Sequence, residues 1–128
     1  HPRSVITEFR YMRIGNGTNL EIFEYVAPDQ KDTPPKNSDI GGHHLAFYVD
    51  DMDAAIAFLK TNDVEVLGEP TSYEAGPNLG LTWCYFMAPW GLQLEIVSAP
   101  NGTDFDNAAK ANGEMRLFNP LHAKETLI

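Results

Sequence analysis

The sequence predicts an α+β fold built from modules of the order β-α-β-β-β. Two observations carry this. Residues 43–98 read as one complete strand–helix–strand–strand–strand unit. Sliding the chain on itself by 74 positions then lays its early strands over the end of that unit. Glu21 falls on Glu95, Tyr11 on Tyr85, Gly17 on Gly91, Leu20 on Leu94 and Ile22 on Ile96. Strand, glycine turn, strand matches strand, glycine turn, strand, which is the mark of an internal repeat.

Residues 4–14, "SVITEFRYMRI", are rich in β-branched and aromatic side chains and predict a strand. Gly15-Asn16-Gly17 predicts a hairpin turn, since these residues accept the left-handed backbone such turns need. Residues 18–26 are the return strand. The stretch 27–42, "APDQKDTPPKNSDIGG", is dense in Pro, Asp and Gly and reads as a linker. "HHLAFYV", 43–49, is a strand. Asp50 or Asp51 can cap a helix running to about residue 61, with Met52, Ala55, Ile56 and Leu59 on one face. A short strand at 64–67, a Gly- and Pro-containing loop at 68–80, a strand at 81–87, a turn at Ala88-Pro89-Trp90-Gly91 and a strand at 92–98 complete the unit. Residues 99–128 form a polar tail with a weak helical patch near 104–112, interrupted by Gly113.

The expected organisation is a single domain over 1–98, followed by the tail. Residues 1–26 supply the second half of one module, 27–42 the linker and 43–98 a full module. The counterpart of His44 in the first module would fall before His1. Without it the sheet would have an open edge and an uncovered apolar face. The repeat therefore predicts further residues ahead of His1 or a second copy covering the gap, and the expected assembly is a homodimer.

Composition excludes several classes. A chain of 128 residues holds one domain with a real core, not two independent ones. No run approaches the roughly 18 apolar residues of a membrane span, so no membrane partner is expected. With no basic, apolar leader and a single cysteine, Cys84, a cytoplasmic location is expected. Asn16-Gly17-Thr18 and Asn101-Gly102-Thr103 then read as turns rather than glycosylation sites. The net charge is −9 and the 9 basic residues form no cluster, which argues against nucleic acid. Cys84 has no CxxC partner and reads as a buried thiol. No nucleotide-binding or hydrolase-elbow motif is present.

Three polar side chains interrupt otherwise apolar strands. Alternation places His43, Leu45, Phe47 and Val49 on the helix side of their strand, and His44, Ala46 and Tyr48 on the other. In "LQLEIVS", Gln93, Glu95 and Val97 lie away from the helix side; in "NLEIFEY", Asn19, Glu21 and Phe23 lie opposite Leu20 and Ile22. His44, Glu21 and Glu95 thus share the less apolar face. A strand histidine or glutamate commonly does no more than meet solvent. Three on one face, two of them at repeat-equivalent positions, predict a divalent metal site instead, and imidazole plus carboxylate suits Zn, Ni, Co, Mn or Fe(II). His43 reads as structural, and His1 and His122 as incidental.

These segments resemble a known family. "GGHHLAFYVDDMDAAIAFL", 41–59, looks like the opening of a module of the vicinal oxygen chelate superfamily, which includes glyoxalase I, methylmalonyl-CoA epimerase, extradiol dioxygenases and fosfomycin and bleomycin resistance proteins. "MAPWGLQLEIVS", 87–98, looks like the closing hairpin of that module, and "IGNGTNLEIFEY", 14–25, is similar to the same hairpin in the first module. His44 and Glu95 stand 51 residues apart, close to the family's spacing. The resemblance implies paired βαβββ modules forming a cupped mixed sheet, the first module being incomplete here at the N-terminus. It implies His44 and Glu95 as ligands from the second module and Glu21 from the first. The first module's histidine has no counterpart in this chain.

The resemblance also frames the chemistry. A metal at such a site stabilises an enolate-type intermediate of a small carbonyl substrate. A ligating carboxylate, Glu95 or Glu21, doubles as the base. The first expectation is thus a metal-dependent, glyoxalase-like lyase or an isomerase such as an epimerase. The alternative is a non-catalytic resistance protein that binds an antibiotic or other aromatic ligand through Trp83, Tyr85, Tyr11, Phe23 and Trp90. An extradiol dioxygenase ranks below both, because that branch uses two histidines and one glutamate on iron and needs no glutamate at position 21.

Overall fold

The computed structural model describes residues 2–15 and 18–113. His1, His122 and the Asn16-Gly17 part of the hairpin turn lie outside the described residues. The chain divides into two units, His1–Thr33 and Pro34–Ile128.

The first unit is a two-stranded antiparallel hairpin of β1 (Val5–Ile14) and β2 (Thr18–Val26). Phe9 stands opposite Phe23 and Tyr11 opposite Glu21. The Phe9 and Phe23 rings stack at 4.9 Å and the Tyr11 ring meets Phe9 edge-on at 4.5 Å. Such cross-strand aromatic pairs are the unit of stabilisation in a sheet. The register shifts between Ile6 and Glu8. There the Thr7 hydroxyl donates to the Glu24 carboxylate at 2.7 Å.

The second unit contains the β-α-β-β-β order that the sequence predicts: β3 (Leu45–Tyr48), α1 (Met52–Thr61), β4 (Val66–Ser72), β5 (Thr82–Met87) and β6 (Gln93–Ser98). The strands form a mixed sheet in the order β3-β6-β5-β4, with β3 parallel to β6 and the other pairs antiparallel. The expected α+β class is therefore observed.

Helix α1 begins where the sequence places it. Asp51 is in extended backbone, and its carboxylate accepts the Ala54 N–H at 2.9 Å. That satisfies one of the donors a helix start leaves unpaired. Asp53 in the first turn and Lys60 in the last complement the helix dipole. Asp51→Ala is expected to destabilise the protein by about 1 kcal/mol, read by denaturant unfolding. No loss would mean that the cap contributes nothing to the folded state. The apolar face of α1 closes over the sheet. Ile56, Cys84 and Ile96 are buried together, with Phe47, Val49, Met52, Ala55, Leu59, Val66 and Phe86 packed around them. Cys84 is 2% exposed, and burial pushes its thiol pKa up, so it is the inert buried thiol that was expected.

One element differs from the sequence reading. β4 continues through Gly68 and Pro70 to Ser72, where a loop is expected. It is an edge strand, and its register against β5 shifts between Leu67 and Thr71. Gly68 takes a left-handed φ of 83° at this irregularity. An edge strand tolerates a proline and a bulge that a central strand would not. The patch at 104–112 is a full helix, α2 (Asp104–Asn112), capped by Thr103 and ended by Gly113 at a left-handed φ of 70°. Its first turn is held by the β4–β5 loop, with Asp104 N–H donating to Leu79 O and Phe105 N–H to Pro77 O. Among the described residues no helix is long and apolar enough to cross a membrane.

Candidate functional site

Strand register brings together two of the three predicted ligands. β3 pairs with β6 so that Ala46 lies beside Glu95. His44, two residues before Ala46, shares that face. Its Nε2 is 2.7 Å from Glu95 Oε2. Phe47 and Ile96, each one residue further on, turn the other way into the core beneath α1. The Glu95 side chain is 12% exposed and the His44 side chain 34%, so the carboxylate is recessed and the imidazole forms its rim.

Aromatic side chains line the same face. Tyr85 is paired directly opposite Glu95 across β5 and β6. Its ring meets the His44 ring edge-on, 5.6 Å between centroids. Burial, and then the charge of Glu95, push the Tyr85 phenol above its ordinary pKa. Tyr85 is consequently a neutral hydroxyl donor at neutral pH, not a phenolate. Further along β5, Trp83 leans on Tyr73 at 4.6 Å.

The other ring nitrogen of His44 has its own neighbour. Asn37 Nδ2 lies 3.4 Å from His44 Nδ1. Asn37 is thus placed to hydrogen-bond the ring nitrogen that faces away from Glu95. Sequence reading missed this residue, because Asn37 falls in a stretch that reads only as a linker. The available signal was Gly41-Gly42 just before the histidines, a place where backbone can pack against backbone. His43 turns back on the same loop, its Nδ1 2.9 Å from the Gly41 carbonyl.

Glu21 stands on β2 of the first unit, paired with Tyr11. A hydrogen bond from the Tyr11 phenol to the Glu21 carboxylate, and then the charge of Glu21, raise the phenol's pKa. Among the described residues of the second unit, no third His, Cys, Asp or Glu joins His44 and Glu95 in a group able to hold a metal. The pair is nevertheless of the right chemistry for a divalent ion: one imidazole nitrogen and one carboxylate oxygen, already converging.

Residues 7–85 match the family model of the Glyoxalase/Bleomycin resistance protein/Dioxygenase superfamily. The chain belongs to this superfamily. His44 and Glu21 lie inside the matched region and Glu95 just beyond it. Among curated members, the chain is similar to a 2-epi-5-epi-valiolone epimerase of Actinomyces sp, 48% identical over 110 residues, which covers 85% of this chain and 58% of that protein. It is also similar to the uncharacterized protein YaeR of Escherichia coli (strain K12), 32% identical over 77 residues, which covers 60% of this chain and 55% of YaeR. The chain thus spans less than two thirds of the length of these curated relatives. Among solved structures, a glyoxalase family protein from Enterococcus faecalis superposes with a TM-score of 0.53 at 23% identity, covering 73% of this chain and 77% of that one. That likeness concerns the fold.

Proposed function

We propose that this superfamily member is an isomerase, an epimerase that inverts a carbon next to a ketone. 2-epi-5-epi-valiolone is the substrate to try first, because it is named for the 48% identical relative. The observation that carries the reading is the 2.7 Å contact between His44 Nε2 and a recessed Glu95 carboxylate. A carboxylate so placed can take a proton from the carbon beside the carbonyl, leaving an enolate. The His44 N–H holds that carboxylate in one orientation between turnovers. Inversion requires the proton to return on the opposite face of the enolate. Tyr85, neutral and opposite Glu95, can donate a hydrogen bond to a substrate oxygen.

His44 and Glu95 are the residues that would hold a divalent ion, Zn, Ni, Co, Mn or Fe(II). Such an ion supplies Lewis acidity towards adjacent substrate oxygens. The same reading takes 1–98 as one domain and the protein as a homodimer. The aromatic side chains Trp83, Tyr85 and Tyr73 favour a second reading, a protein that only binds an aromatic ligand.

The deciding experiment is incubation with 2-epi-5-epi-valiolone in D₂O, followed by proton NMR. The epimer should form with deuterium at the inverted carbon. Chelation should abolish turnover and added divalent metal should restore it. His44→Ala should lose about 10²-fold or more in turnover with an unchanged melting temperature, because His44 lies off the core. Metal-replete protein that exchanges no deuterium, yet shows tryptophan quenching with aromatic ligands, would replace the epimerase reading with the second one.

A further inference from the structure

The segment between Pro34 and His44 reads as a linker, yet it is packed tightly at both ends. At its start, a Cβ on Gly91 would lie 2.5 Å from Pro34 Cγ, so the proline sits directly on the β5–β6 turn. At its end, a Cβ on Gly42 would lie 2.1 Å from Lys36 O and 2.8 Å from Asn37 O. Backbone there contacts backbone, and only glycine leaves room. Between these points Asp39 closes the loop. Its carboxylate accepts the Lys36 N–H at 2.9 Å, its own N–H donates to Lys36 O at 2.9 Å, and Gly42 N–H donates to Asp39 O at 2.8 Å. The side chain this loop delivers to the site is Asn37, whose Nδ2 lies 3.4 Å from His44 Nδ1.

We infer that Asn37 is a positioning residue, which sets the tautomer and ring orientation of His44 through the closed 36–42 loop. This rests on the reading of His44 as an active-site residue. The chemistry is that of a primary amide. With the amide turned so that Nδ2 faces the ring, Nδ1 would accept and the ring proton would sit on Nε2, facing Glu95. Half a turn of the amide would present Oδ1 instead. The ring proton would then move to Nδ1, and Nε2 would offer a lone pair to an electrophile. One residue thus supports both the hydrogen-bonded pair and a His44 ready to act as a ligand. The outer partner of a ligating histidine commonly plays this part.

The test uses metal-free, ¹⁵N-labelled protein without substrate, so its failure is separable from failure of the epimerase reading. Two-bond ¹H–¹⁵N correlation reports which ring nitrogen of His44 carries the proton. The wild type should show a bare Nδ1 and a protonated Nε2. Asn37→Ala should shift both signals towards the averaged values of a tautomer mixture. Asn37→Asp keeps the shape of the side chain but offers only acceptors, and should move the ring proton onto Nδ1. It also carries the test if the alanine variant does not fold. His44 signals unchanged from wild type in the folded variants would overturn the inference, as would a wild type with its proton on Nδ1.

Discussion

Glu95→Gln is expected to fold like the wild type and to lose about 10²–10⁴-fold in epimerisation, the usual contribution of a positioned acid–base group. The substitution keeps size and shape, and the amide can still hydrogen-bond His44 Nε2, which lies 2.7 Å from the carboxylate in the wild type. It removes the negative charge and the basic lone pair together. Proton abstraction and metal affinity should fall in parallel, because the same carboxylate would serve both. The check is deuterium exchange at the substrate carbon, metal content after dialysis and the melting temperature, all on one preparation. Wild-type exchange in Glu95→Gln would remove Glu95 from the mechanism. A large drop in melting temperature would show instead that the pair is structural.

Ile96→Asp, one residue along the same strand, is expected to do the reverse and unfold the protein. Ile96 is 4% exposed and lies against Ile56 and Cys84 beneath α1. Truncating a buried isoleucine typically costs about 2–5 kcal/mol. An unpaired carboxylate in its place adds a desolvation penalty. The sum is comparable with the whole stability of a small domain, about 5–15 kcal/mol. Ile96→Val, which only trims a methyl group, should cost about 1 kcal/mol and remain folded. Circular dichroism melts of the two variants decide the matter. A cooperative, wild-type-like melt for Ile96→Asp would mean that the helix-facing side of β6 has been wrongly assigned.

That two neighbours have opposite consequences was readable from the chain. In "LQLEIVS" side chains alternate by necessity, so Glu95 and Ile96 must face opposite ways. The same rule places His44 on the face of Glu95. The spacing of Met52, Ala55, Ile56 and Leu59, with Asp51 ahead of them, determines α1 and its buried side. These are local properties, set by backbone geometry and by what a few adjacent residues can cap or bury. Membership of the superfamily was legible for the same reason, because its motifs are local strings.

Alternation settles a face but not a register. That Tyr85 stands opposite Glu95, with its ring against His44, follows from how β5 and β6 pair. β4 runs on through Gly68 and Pro70 because it is an edge strand, and strand order is a property of the assembled sheet. Asn37 meets His44 through a loop whose backbone closes against Gly42, where a Cβ would lie 2.1 Å from Lys36 O. The sequence by itself determined which residues could carry chemistry and which side of a strand they occupy, since both follow from covalent geometry within a few residues. The tertiary structure alone decided which of them meet, because contact between distant segments depends on pairing and packing that no local pattern encodes.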